Sequence, residues 1–216
     1  MDRDRIWDHT IAARESLATT LATLGPEEWD HPSLCDAWRV RDVAAHVIMG
    51  PQLTWRRTPG LLPHIWRGYN GMNAHLGRVG GSRPVADILA QYERYAGLRR
   101  GPAVVGDVEP LIDVLVHTQD IVRPLGRSAT MPPEAAAVAA ERAWRLAALM
   151  GGQARAARRL HLVATDSDWS AGDGPTVEGP TAELLMLATG RQPDWAQLSG
   201  DGVPSQHPRA TGTSGP

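Results

Sequence analysis

The stretch PLIDVLVHTQDIVRPLG, residues 110–126, decides how this chain is read. Leu111, Ile112, Val114, Leu115, Val116, Ile121 and Val122 make it apolar almost all round, which is the signature of a buried helix. Pro110 suits a first helical turn, and Pro124-Leu125-Gly126 stops the run. Asp113, His117 and Asp120 interrupt the apolar surface at i, i+4 and i+7, so the three share one face. A lone buried carboxylate is costly and needs a partner. A carboxylate and an imidazole one turn apart are able to converge on one cation.

A second helix reads from about Trp38 to Met49, with Val40, Val43, Ala44, Val47 and Ile48 as its apolar face and Gly50-Pro51 at its end. His46, three residues after Val43, points toward the same core face. Two bundle helices that each send ligands inward form a known kind of metal site. Two histidines and a carboxylate leave a coordination position open, as catalytic sites do. The spacing also admits a plainer reading. His117 could be a core histidine satisfied by Asp113 or Asp120, and His46 a structural residue.

Around these two helices the chain reads as mainly α. Residues 4–24 form an amphipathic helix carrying Ile6, Ile11, Leu17, Leu21 and Leu24, and residues 27–37 form a loop. Residues 51–83 have no clean period and hold Trp55, His64, Trp66, Tyr69, Met72 and His75, as a lid or pocket wall would. A further helix follows Pro84, and an alanine-rich one covers about 133–150. The character changes after that. Residues 160–165 are β-like, 166–180 are turn-rich, and Thr181–Thr189 reads as a short helix closed by Gly190-Arg191. The expected organisation is therefore a helical bundle over 1–150, a small α/β domain over 151–203, and a disordered tail over 204–216.

Composition narrows the partners. The chain has 216 residues, 42% of them hydrophobic, and a formal charge of −2. A packed core is expected, and bulk charge favours neither nucleic acid nor an anionic membrane. The start lacks the apolar stretch of a secretory signal, and no apolar run is long enough to span a bilayer, so a cytoplasmic protein is expected. All basic residues are arginine, and lysine and phenylalanine are absent. That bias, with abundant Ala, Gly and Pro, indicates a GC-rich coding sequence. The single cysteine, Cys35, excludes an intrachain disulfide. No sequence argument places a His or Asp to activate it, so it is read as a packing residue.

Two segments resemble a known family. LCDAWRVRDVAAHVI (34–48) and DVLVHTQDIVRPLG (113–126) are similar to the two motifs of the mycothiol-dependent maleylpyruvate isomerase family, within the DinB-like superfamily, and residues 158–191 resemble its C-terminal domain. The resemblance implies a DinB-like four-helix bundle followed by a small C-terminal α/β domain. It implies a divalent metal, usually zinc, on His46, Asp113 and His117, with mycothiol, the thiol of actinobacteria, as cosubstrate. Arg191 matches the arginine that assists catalysis in the isomerases. Asp113 stands where many members carry Glu, one methylene longer, and Gln119 where many carry Trp. The family segment often carries Cys at the place of Cys35, which agrees with a packing role.

The function expected from these readings is a thiol-dependent isomerase or S-transferase, a monomer or homodimer. A thiolate activated by the metal would attack a small electrophile. Asp120 would orient His117 or simply accept hydrogen bonds near the helix end. Trp55, Trp66 and Tyr69 would line the pocket. A metal-dependent hydrolase and a non-catalytic metal- or partner-binding module are the alternatives.

Overall fold

The computed structural model describes residues 1–54, 68–102, 105–148 and 152–203, with the backbone alone at 68–70. The described chain is mostly helical with one small sheet, the mainly α architecture expected from the sequence. It divides into two compact units, Met1–Thr130 and Met131–Pro216.

The first unit is the bundle. α1 (Arg3–Ala22) is capped by the Asp2 side chain, which accepts from the Arg5 amide. It buries Ile6, Trp7, Thr10, Arg14, Leu17 and Leu21, a stripe at three- and four-residue spacing, and packs on α5 (Val85–Tyr95) and α6 (Glu109–Val122). A short α2 (Pro26–Asp30), within the segment expected to be a loop, buries Trp29. α3 (Val40–Met49) is the hub, packing on α4 (Gly68–Gly81), α5 and α6. Its Val40, Val43, Ala44, Val47 and Ile48 meet Ile88, Tyr92, Val114 and Ile121 in one core. Tyr92 donates its buried hydroxyl to the Ala44 carbonyl at 2.8 Å, and burial pushes its pKa well up.

α4 corrects the sequence reading, which left this stretch without a period. The helix carries Gly68, Gly71, Gly77, Gly80 and Gly81, each about 1 kcal/mol poorer than Ala in a helix interior. Packing compensates. A Cβ at Gly77 would come within 2.6 Å of the Trp38 ring, and one at Gly81 within 2.8 Å of Asp42 Cα. The two helices approach closely only because these side chains are missing.

The second unit holds α7 (Pro133–Leu146), α8 (Gly152–Ala157), β1 (His161–Ala164), β2 (Ser170–Ala171), β3 (Thr176–Gly179) and α9 (Thr181–Ala188). The strand order is β2-β1-β3, antiparallel between β1 and β2 and parallel between β1 and β3. The sequence reading put a boundary near 150, whereas the compact units divide at Thr130. The reason is α7. Its buried face is largely alanine (Ala135, Ala136, Ala139, Ala140, Ala143), and it packs along α9 within the second unit. The tail from 204 lies outside the described residues, and no described helix is long and apolar enough to cross a membrane.

The α3–α4 contact is testable. Gly81→Ala should destabilise the protein by about 1–3 kcal/mol, the usual cost of overpacking. It would be read as a lowered midpoint of urea unfolding. A midpoint at or above wild type would mean that the two helices do not approach this closely.

Candidate metal centre

The segment that precedes α3 sets the site. Arg39 and Asp42 cap the helix: the Asp42 carboxylate is buried and accepts from the Arg39 amide at 2.9 Å and from its guanidinium at 3.1 Å. These bonds with Asp42, outweighing burial, raise the Arg39 pKa. Upstream, Ser33 N–H and Oγ–H both donate to the Trp38 carbonyl, and Ala37 turns the chain with φ of 59°. Leu34 N–H donates to the Asp120 carbonyl at 3.0 Å, which fastens this turn to α6.

His46 of α3 then faces Asp113 and His117 of α6. His46 Nε2 lies 3.2 Å from Asp113 Oδ1, and His117 Nε2 lies 3.5 Å from the same oxygen. The ligating atoms of the three residues all lie within 4.8 Å of one another. Bond lengths of about 2.1 Å to a tetrahedral cation place its ligand atoms about 3.4 Å apart, so little movement is needed to close the set. The two imidazoles stand edge to face, with ring centroids 5.1 Å apart, and Trp38 packs 5.0 Å from His46 and 6.2 Å from His117. Burial raises the Asp113 pKa. His46, then His117 and Arg14, push the other way and hold the carboxyl below its usual range.

Behind this set lies a second ring of partners. His117 Nδ1 is 2.8 Å from Asp120 Oδ2, and the Asp120 side chain is fully buried. With Nδ1 donating to that carboxylate, Nε2 presents its lone pair toward Asp113, the tautomer a ligand needs. The Cys35 thiol donates to the same Asp120 oxygen at 3.1 Å and lies 3.6 Å from His117 Nδ1. Cys35 also packs against the hydrophobic core, as expected of a packing residue. The carboxylate and imidazole that reach its thiol come from α6. His46 has no comparable support: its Nδ1 is buried without a hydrogen-bond partner among the described residues.

A cavity of about 160 Å³ borders the set at His46 and Asp113, with Met49, Leu53, Met72 and Val105 among its apolar walls and Arg14 and Glu109 as its other charged groups. Sequence reasoning missed Arg14, although position 14 falls on the apolar stripe between Thr10 and Leu17. Trp55 and Trp66 lie outside the described residues. Tyr69 lies in α4, its side chain undescribed. Gln119 is buried and donates to the Ala129 carbonyl at 2.8 Å. Arg191 belongs to the second unit. It follows Gly190 (φ 80°), its amide donates to the Met186 carbonyl, and its guanidinium donates to the Thr189 carbonyl at 3.1 Å, a helix C-terminal arrangement.

Residues 11–94 match the family model of the mycothiol maleylpyruvate isomerase N-terminal domain. The whole chain is similar in structure to the mycothiol-dependent maleylpyruvate isomerase, with a TM-score of 0.61, 16% identity and 94% of each chain covered. A mutant of that enzyme gives the same figures. No curated protein matches the chain in sequence. At 16% identity the structural likeness shows a shared fold, DinB-like with an α/β C-terminal part. The matched segment lies within the helical unit, which resembles the mycothiol maleylpyruvate isomerase N-terminal domain family over those residues.

Proposed function

We propose that this protein is an enzyme that depends on a divalent metal and on mycothiol, an isomerase or S-transferase acting on a small electrophile. The observation that carries the reading is the convergence of His46 Nε2 and His117 Nε2 on one oxygen of Asp113, with the far nitrogen of His117 held by a buried carboxylate. A donor set of two imidazoles and one carboxylate fits zinc and leaves room for a further ligand. Bound there, a divalent cation would supply Lewis acidity that lowers the pKa of a thiol.

The chain's own groups have separate parts in this reading. Asp113 brings a negative charge already favoured by its surroundings. Asp120 orients His117 and fixes its proton on Nδ1. The apolar walls beside His46 limit water around a reacting electrophile. Arg191, in the second unit, is the arginine proposed to assist turnover. The family match over residues 11–94 and the fold shared with the isomerase support mycothiol as the thiol.

Elemental analysis of the purified chain tests the metal. Stoichiometric zinc, lost in His117→Ala, is expected. Asp120→Asn should weaken metal affinity about 10–100-fold, the usual effect of removing such an outer partner. A His117→Ala variant that retains its metal would sink the assignment. A thermal-shift titration of the metal-loaded protein with mycothiol tests the thiol. A rise in melting temperature is expected, and metal without a thiol response would favour hydrolysis.

Arg191→Ala should keep its metal and lose turnover with mycothiol and an electrophile that the wild type accepts. Unchanged turnover would leave Arg191 as a helix-end residue only.

A further inference from the structure

Arg14 stands in the middle of the buried stripe of α1 and is 2% exposed. Its Nη1 donates to two main-chain carbonyls, Leu98 and Arg100, each at 3.2 Å. These neutral acceptors fix the guanidinium but do not balance its charge. Its Nε is buried without a hydrogen-bond partner, and no carboxylate among the described residues forms an ion pair with it. Burial lowers its pKa, and Asp113 acts on it only through space. An arginine nevertheless stays protonated in a protein. A buried, fixed and unbalanced cation lining a cavity is suited to receive an anion.

The cavity states what else the anion must carry. Its volume of about 160 Å³ is close to that of an engineered apolar cavity that takes up benzene, so a ligand of comparable size fits. Met49, Leu53, Met72, Pro102, Val105 and Pro110 make the walls largely apolar. Glu109 lines the same space, and its charge disfavours a second negative group on the ligand. His46 and Asp113 line the same space.

We propose that Arg14 anchors the carboxylate of a small monocarboxylate whose apolar remainder fills this cavity beside His46 and Asp113. The inference rests on the metal reading. When Asp113 shares its charge with a cation, the through-space partner of Arg14 is spent, and the ligand carboxylate replaces it. The guanidinium thereby sets one end of the ligand and directs the other toward the triad.

Calorimetric titration of the zinc-loaded full chain at low chloride tests this with crotonate, crotonamide and maleate. Crotonate and crotonamide share a shape and differ in charge, and maleate adds a second carboxylate. Crotonate is expected to bind at least about tenfold tighter than crotonamide, as a charge-assisted pair should, and tighter than maleate. Arg14→Gln should bring crotonate down to the level of crotonamide with zinc content unchanged. If that variant does not fold, the charge-retaining Arg14→Lys and the wild-type ratio of the two ligands decide the matter. Equal binding of crotonate and crotonamide, or full crotonate affinity in Arg14→Gln, overturns the assignment. Maleate binding as tightly as crotonate overturns its restriction to one carboxylate. Zinc content of the same sample separates the two levels. A chain that takes up no zinc overturns the metal reading and this inference with it. A zinc-loaded chain blind to the carboxylate overturns Arg14 alone.

Discussion

One fully buried carboxylate, Asp120, joins the two halves of the site. Its side chain accepts from His117 Nδ1 and from the Cys35 thiol, and its main-chain carbonyl accepts from Leu34. Without these donors a carboxylate at zero exposure would be too costly to keep. The turn before α3 and the last turns of α6 are therefore locked together, and the separation of His46 from His117 follows from that lock. Asp113 bridges the same two helices about two turns of α6 before Asp120.

The close approach of α4 works toward the same end from the other side of α3. Gly77 admits the Trp38 ring, and Trp38 in turn packs on both imidazoles. Among the described residues nothing hydrogen-bonds His46 Nδ1, so the indole contact and the bond to Asp113 set its ring. The two histidines are thus held by different physics, one by a buried carboxylate and the other by packing.

What the sequence made legible was local. Asp113, His117 and Asp120 stand out because polar groups one turn apart on an apolar helix share a face whatever the helix packs against. His46 follows from the face of α3. The fold class follows from periodicity and from the two motifs. Arg14 and Cys35 were not legible in the same way. Arg14 meets carbonyls 84 and 86 residues away, and Cys35 meets a carboxylate 85 residues away. No spacing rule reaches that far. α4 was hidden for another reason: its glycines argue against a helix by propensity, and only the fit against α3 reverses the balance. The placement of α7 failed similarly, since an alanine face does not announce its partner.

His46 and Asp113 lie 67 residues apart in the chain and meet only across the α3–α6 contact. An unfolded chain holds the i, i+4 pair of α6 at best, never the full set. Any cation gripped by all three residues is therefore a ligand of the native state alone, and mass action then makes metal supply a term in conformational stability. On this view the pairing of α3 with α6 and the filling of the site are two aspects of one equilibrium. Cellular metal availability would govern how much of the protein stays intact against proteolysis as well as how much of it is active.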